Sequence, residues 1–95
     1  MKITVVCGNG LGTSLMMEMS IKSIVKELGV NAEVDHVALG SAKGTASDIF
    51  VGTSDIAEQL VAQQVGGKIV SLKNMVDKVA MKERISAALT ELGAL

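Results

Sequence analysis

Aromatic residues and proline are nearly absent from this chain: Phe50 is its one aromatic residue, and it has no proline. Proteins that bind single-stranded nucleic acid without sequence preference stack the bases on aromatic side chains, so this composition argues against that role. The formal net charge of −1, from 9 basic and 10 acidic residues, supplies no long-range attraction for DNA, RNA or anionic lipid. We therefore expect no nucleic-acid partner.

Cysteine is equally scarce, since Cys7 is the only one. A single cysteine excludes an internal disulfide, a CxxC redox pair and a cysteine-based zinc cluster, and it suits a reducing compartment. The apolar run at the N-terminus is too short for a secretory signal, and no segment approaches the roughly 18 apolar residues of a membrane span. We predict a cytoplasmic protein without direct membrane insertion, and we expect no metal and no cofactor.

What the chain does have is an alternation of short β-branched runs with longer helical ones. Its 95 residues suit one domain, residues 1–95, with one small core and a site at its edge. The runs predict four strands, at Ile3–Val6, Ala32–Val37, Asp48–Val51 and Lys68–Leu72. The first is apolar on both faces, as a central parallel strand should be. The order predicts an α/β fold, a three-layer sandwich around a four-stranded parallel sheet.

Helices are predicted between these strands. The first runs from about Ser14 to Leu28, and Gly29 supplies a left-handed C-cap. The segment 40–47 is either a loop or a weak helical turn. A further helix begins after the N-cap candidates Thr53, Ser54 and Asp55, runs to about Gln63 and is broken by Gly66-Gly67; the closing helix spans about Lys78–Leu92. Spacings of three and four assign the buried faces to Met17, Ile21, Ile24 and Leu28, and to Met81, Ile85, Ala88, Leu89 and Leu92.

The segment that indicates chemistry follows the first strand directly. It is a predicted loop, residues 7–13, that opens the first helix and reads Cys7, Gly8, Asn9, Gly10, Leu11, Gly12, Thr13, Ser14. Three glycines let the backbone turn its N–H groups inward, and these groups and the helix N-terminus favour a bound phosphate. The same field stabilises a thiolate, the reactive form of cysteine. We therefore predict that Cys7 is a nucleophile and that residues 8–14 bind the phosphate.

Three better-known loops each differ from this one at a residue. A nucleoside-triphosphate P-loop needs a lysine that is missing here, and the even spacing of the glycines departs from the dinucleotide fingerprint. The low-molecular-weight tyrosine phosphatase loop, C-x5-R-[ST], fits except that Thr13 stands at the arginine position. Arginine stabilises the equatorial oxygens during hydrolysis, and the Asp-Pro acid of those phosphatases is also absent. Such a loop accepts a phosphoryl group but is poorly built to release it to water.

At this point the chain resembles a known family, the IIB components of the bacterial sugar phosphotransferase system. The resemblance rests on CGNGLGTS followed by LMMEM, on DIFVGTSDIA from Asp48, and on the pair Asn74-Met75. Among these components the chain is most similar to the ascorbate-specific ones. The resemblance implies a fold like that of the phosphotyrosine phosphatases. It also implies that Cys7 takes phosphate from a phosphohistidine of a IIA protein and passes it to a sugar held by the membrane transporter IIC.

Other interpretations stay open beside this one. The chain could be a phosphatase-like hydrolase, or a non-catalytic anion-binding interaction module whose cysteine is incidental. His36 is expected to be an ordinary strand-end residue, with a second phosphate carrier or general base as the alternative. Met16, Met17 and Met19 are expected to fill mostly core space, with one or two facing outward to suit a partner. Lys73 and Asn74 either approach the site or are structural.

Overall fold

The computed structural model describes residues 1–7, 11–72 and 78–93, with side chains at 1–6, 15–72 and 78–93. Within these ranges strands and helices alternate along the chain. The strands are β1 (Lys2–Cys7), β2 (Glu33–Ala38), β3 (Ile49–Thr53) and β4 (Lys68–Leu72). The helices are α1 (Leu11–Glu27), α2 (Leu39–Ala42), α3 (Ser54–Gln63) and α4 (Lys78–Glu91).

The four strands form one parallel sheet in the order β2-β1-β3-β4. β1 and β3 occupy the centre, which explains their nearly continuous apolar sequence: Ile3, Val5 and the residues Ile49, Phe50 and Val51 are completely buried. β1 is in register with β2 from Lys2↔Glu33 to Cys7↔Ala38. The predicted four-stranded parallel sheet is confirmed.

Helices cover both faces of this sheet and make the predicted three layers. On one face α1 and α4 pack through Met17, Ile21, Met81 and Ile85 against the strands. On the other face α2 and α3 contribute Ala42, Ile56 and Leu60 around Val6 and Phe50. Burying each large aliphatic side chain stabilises the fold by about 1.5–3 kcal/mol. These two hydrophobic clusters, one on each face, therefore fix the helices against the sheet.

The end of α1 follows the prediction in detail. Gly29 has a φ of 71°, in the left-handed region where glycine carries no steric penalty. The N–H of Val30 donates to the carbonyl of Val25 at 3.0 Å, and the N–H of Gly29 donates to that of Lys26 at 3.2 Å. These two bonds form a Schellman cap, which satisfies carbonyls that the helix leaves free.

Three predicted details are wrong. The helix α1 begins at Leu11 rather than Ser14, because the low helix propensity of Gly12 and Thr13 is a weak preference that tertiary context overrides. The helix α3 ends at Gln63 as predicted, but the residue that ends it is the left-handed Gln64, with a φ of 55°, and not Gly66-Gly67. Leu92 is 43% exposed because α4 ends one residue earlier, at Glu91.

The glycine at position 67 has a different purpose from breaking a helix. A Cβ atom there would lie 2.6 Å from the carbonyl oxygen of Ser47 and 2.9 Å from the ring of Phe50. Both distances are far below van der Waals contact, so only glycine lets the chain pass this close as it enters β4.

The segment predicted as a loop or weak turn, 40–47, contains the end of the one-turn helix α2.

Candidate functional site

Cys7 is the last residue of β1, a central strand of the sheet. Helix α1 begins at Leu11, so only positions 8–10 separate the strand from the helix. Ligands of open α/β sheets bind beyond the carboxyl ends of the strands, at such strand-to-helix connections. The cysteine therefore occupies the position where this fold class places its chemistry.

The predicted phosphate-binding residues divide between two parts of the chain. Gly8, Asn9 and Gly10 lie outside the described residues, as do Lys73 and Asn74. The remaining four form the start of α1 and belong to the helix, not to a loop: Leu11, Gly12, Thr13 and Ser14. The first four N–H groups of a helix have no partner within it, and they carry the positive end of the helix dipole. This end of α1 accordingly favours an anion close to the strand that ends in Cys7.

A second helix starts at the same edge of the sheet. β3 lies beside β1 in the register Val5↔Val51 and ends at Thr53, and α3 begins at the next residue. Gly52 makes this junction possible, since an added Cβ would lie 2.7 Å from Cγ2 of Ile56 and 3.5 Å from the carbonyl oxygen of Val6. Sequence reasoning missed this role, because nothing in the local pattern shows which neighbour approaches position 52.

The cap of α3 differs from the prediction. Thr53 occupies the N-cap position but makes no side-chain bond to the helix backbone. Its hydroxyl instead donates to Oδ1 of Asp55 at 2.6 Å. This bond is the main reason that the pKa of the Asp55 carboxyl is lowered, with further contributions from the backbone N–H groups of Asp55 and Ile56. Asp55 is therefore a carboxylate near neutral pH and does not carry a proton to donate.

The start of α1 presents apolar side chains to solvent. Leu15, Met16 and Met19 are 46%, 62% and 70% exposed, whereas Met17 alone of the three methionines is buried. We call the three exposed residues the methionine surface. The expectation that these methionines mostly fill the core holds for Met17 alone, and the expectation that one or two of them face outward is confirmed by Met16 and Met19. The methionine surface lies in the first turns of the helix that follows Cys7.

His36 lies in β2, two residues before its end, and not at a free strand end. Its Nδ1 is 3.1 Å from Oε2 of Glu18, a buried residue of α1. Sequence reasoning missed Glu18, which occupies the inward face of α1 one residue after Met17. The hydrogen bond between Glu18 and His36 connects α1 to the edge strand β2.

Comparison with known proteins identifies the family. The model of the family described as "PTS system, Lactose/Cellobiose specific IIB subunit" matches residues 2–87. The chain belongs to this IIB family of the phosphotransferase system. IIB proteins are phosphotransferase components, so the chain is a subunit of an enzyme that transfers phosphoryl groups during sugar transport. Among the described residues, no helix is long and apolar enough to cross a membrane.

Individual relatives agree with this family. The chain is 32% identical to the ascorbate-specific PTS system EIIB component of Mycoplasma pneumoniae, over 92% of this chain and 93% of that protein. It is 31% identical to the protein of the same name from Escherichia coli, over 78% of this chain and 74% of that protein. A low molecular weight protein tyrosine phosphatase from Bacillus subtilis has a similar fold, with a TM-score of 0.55 and 17% identity over 98% of this chain and 95% of that one. The predicted phosphatase-like fold is confirmed.

Proposed function

We propose that this IIB protein is a cytoplasmic phosphoryl carrier, a single domain over residues 1–95, in which Cys7 is phosphorylated. Cys7 accepts the phosphoryl group from a phosphohistidine of a IIA protein. It then passes the group to L-ascorbate held by the membrane transporter IIC. Residues 8–14 bind the phosphoryl oxygens, and neither a metal nor a cofactor takes part in the transfer.

The observation that carries this proposal is the position of Cys7 at the end of a central strand, four residues before the first residue of a helix. A cysteine near a helix N-terminus has a lowered pKa, since the unpaired N–H groups and the dipole stabilise the thiolate. The same N–H groups are suited to the oxygens of the phosphoryl group once the sulfur holds it. The N-terminus of α1 is thus suited both to the Cys7 thiolate and to the phosphocysteine that it forms.

The chemistry consists of two displacements at phosphorus. In the first, the Cys7 thiolate attacks, an S–P bond forms and the P–N bond of the donor histidine breaks; its electron pair stays on the imidazole nitrogen. In the second, a hydroxyl oxygen of the sugar attacks, an O–P bond forms and the S–P bond breaks, which returns the thiolate and releases the hydroxyl proton. Both steps depend on alignment and on stabilisation of the equatorial oxygens.

Two features favour a carrier over a hydrolase. Thr13 stands where the phosphatase loop has its arginine, so the fork that stabilises the transition state of hydrolysis is missing. Asp55, at the start of α3, is ionised at neutral pH as an ordinary aspartate is, and the Thr53 hydroxyl lowers its pKa further; an ionised carboxyl cannot protonate a leaving group. A phosphocysteine that forms here should therefore survive long enough to meet its acceptor.

The methionine surface supports the proposed encounter with the IIA protein. A phosphohistidine reaches Cys7 only if the donor protein covers the residues around that strand end, and Leu15, Met16 and Met19 follow it on α1. Methionine side chains are unbranched and adapt to differently shaped partners. The names of the two relatives, both ascorbate-specific, support L-ascorbate as the final acceptor.

Reconstitution of the relay tests this proposal. The protein is incubated with phosphoenolpyruvate, the general phosphate carriers and the cognate IIA protein, and its intact mass is then measured. We expect one added phosphoryl group, mapped to Cys7 and absent from Cys7→Ser. The matched control is Ser23→Ala, because Ser23 lies on α1 beyond the first turns and should leave labelling unchanged.

Three further outcomes would contradict the proposal. An adduct that persists in Cys7→Ser would move the acceptor to another residue, and no adduct at all would favour a non-catalytic interaction module. Steady turnover of p-nitrophenyl phosphate would indicate a hydrolase.

A separate experiment tests the identity of the sugar. Membrane vesicles that contain the IIC transporter are supplied in turn with ascorbate, galactitol, lactose and cellobiose. Transfer of the phosphoryl group to a sugar other than ascorbate would overturn the assignment of ascorbate alone.

A further inference from the structure

A cluster of three metal-ligating side chains lies where α1 meets the edge strand β2, in which His36 is paired with Val5 of β1. Its members are Glu18, Asp35 and His36, and one ligand atom from each lies within 4.8 Å of the other two. The Nδ1 atom of His36 is 3.1 Å from Oε2 of Glu18 and 3.9 Å from Oδ1 of Asp35. The imidazole therefore stands between two carboxylates.

The burial of Glu18 makes this cluster more than a surface arrangement. Its side chain is only 10% exposed, and buried carboxylates are costly unless they are paired or coordinate a metal. Its lysine neighbour, Lys22, holds its ammonium 3.6 Å from Oε1 with a side chain that is 57% exposed. That distance exceeds a hydrogen bond, and His36 is a cation only when it is protonated. On its Oε2 side the partner of Glu18 is the His36 imidazole, and a metal ion would take the place of that hydrogen bond.

The spacing of the ligand atoms fits a small metal ion after a modest adjustment. Zinc bonds of about 2.0–2.2 Å in a tetrahedral arrangement place neighbouring ligand atoms about 3.4 Å apart. The separations from Nδ1, 3.1 and 3.9 Å, lie on either side of that value, and the two carboxylate oxygens lie within 4.8 Å of each other. Asp35 is the ligand that must move toward the imidazole, and its side chain is half-exposed. Its Oδ1 also accepts the backbone N–H of His36 at 2.8 Å, which holds the carboxylate beside the imidazole.

We propose that Glu18, Asp35 and His36 form a binding site for a divalent transition-metal ion of the zinc class, with solvent completing its coordination. One imidazole and two carboxylates suit zinc, nickel or cobalt better than calcium or magnesium, which prefer oxygen ligands alone. The ion would connect α1 to β2. The proposed phosphoryl-transfer steps do not involve this site. No metal was predicted from the sequence, because Glu18 lies in α1 whereas Asp35 and His36 lie in β2, and no local pattern shows that they meet.

The chain offers a clean spectroscopic test, because His36 is its only histidine. Zinc is titrated into untagged, ¹⁵N-labelled protein, and the imidazole nitrogens are followed by NMR. The titration uses the Cys7→Ser background, so that the only thiol cannot bind the metal. We expect saturable one-to-one binding, a large shift of the Nδ1 resonance relative to Nε2, and a rise in Tm, since a ligand that binds only the folded state stabilises it.

Matched variants assign the binding to the cluster. We expect His36→Gln to abolish binding, and Asp35→Asn and Glu18→Gln each to weaken it by about 10-fold or more, as the loss of a metal-site contact commonly does. Glu33→Gln is the control, because Glu33 is an exposed carboxylate of the same strand outside the cluster.

Two results would overturn the site. The first is an imidazole spectrum that does not move at millimolar zinc. The second is an affinity that is the same in Asp35→Asn as in the parent protein. Asp35 is half-exposed, so this variant should fold even if Glu18→Gln does not.

Discussion

Gly52 is the position where a single added methyl group should report on the packing beside the candidate site. Gly52 lies in β3, two residues before α3 begins, and a Cβ there would lie 2.7 Å from Cγ2 and 3.1 Å from Cβ of Ile56. Ile56 is 7% exposed and its side chain is branched at Cβ, so neither atom moves aside without shifting the first turn of α3. The change Gly52→Ala should therefore force α3 away from the sheet.

The cost follows from this geometry. Adding a methyl group to a well-packed core costs about 1–3 kcal/mol, and each kcal/mol lowers the Tm of a domain of this size by about 4–8 °C. The gain of about 0.4–1 kcal/mol that alanine brings by restricting the unfolded chain opposes this only in part. We expect a net loss of free energy of unfolding, measured by urea denaturation. Gly66→Ala is the control, since no atom lies within 4 Å of a Cβ at that position.

A double-mutant cycle tests the assigned cause. Ile56→Ala by itself should cost about 2–5 kcal/mol, because it removes a buried aliphatic side chain. The same change removes the nearest clashing atom, so Gly52→Ala should cost much less in the Ile56→Ala protein. We expect the two changes to be non-additive by about 0.5–3 kcal/mol. Strict additivity, or a Gly52→Ala protein as stable as the parent, would refute the argument that Ile56 excludes a side chain at position 52.

Two further predictions concern groups near the strand ends. Thr53→Val removes the hydroxyl that donates to Asp55, so the Asp55 pKa should rise toward its usual range. Thr53→Ser keeps a hydroxyl and should preserve the lowered pKa. An NMR titration of the Asp55 carboxyl carbon that gives the same pKa for the parent and both variants would contradict this. Because the folded-state pKa is lowered, the stabilisation is present above about pH 4 and is lost as the pH falls through that pKa. Met16→Glu with Met19→Glu should leave the free energy of unfolding within about 0.5 kcal/mol but slow phosphoryl transfer from the IIA protein by about 10-fold or more. Equal rates for this variant and for Val61→Glu, an exposed apolar residue of α3, would argue against the methionine surface as a contact for the donor.

Much of the architecture could be predicted because its signals are local. The bounds of β4, Lys68–Leu72, match the prediction fully, since a run of apolar and β-branched residues follows two glycines. The start of α4 at Lys78 and the left-handed Gly29 were likewise predicted from periodicity and from the cap position. The first strand was predicted to end at Val6, and β1 extends one residue further, so that Cys7 is its last residue. The role of Cys7 as nucleophile stays a prediction, because residues 8–10 and the side chains of residues 7 and 11–14 lie outside the described structure.

Details that depend on distant neighbours could not be read in the same way. Periodicity assigned Met17 to the core correctly but gave Met16 and Met19 no definite side, since three methionines within four positions blur the pattern of exposure. The end of α3 at Gln63 was predicted, but its C-cap Gln64 was missed because a non-glycine residue adopts the left-handed conformation there. Glycine at 67 was assigned to helix breaking, whereas its neighbours Ser47 and Phe50, twenty and seventeen positions earlier, are what require it.

The order of strands and helices, the parallel sheet and the location of Cys7 near a strand-to-helix connection could all be read from the amino-acid sequence, because each depends on patterns within a short stretch of chain. Contacts between these elements required the folded structure: Glu18 with His36, Gly52 with Ile56, and Gly67 with Ser47. Such meetings depend on strand order and register, and these are set by how the whole chain buries its apolar surface.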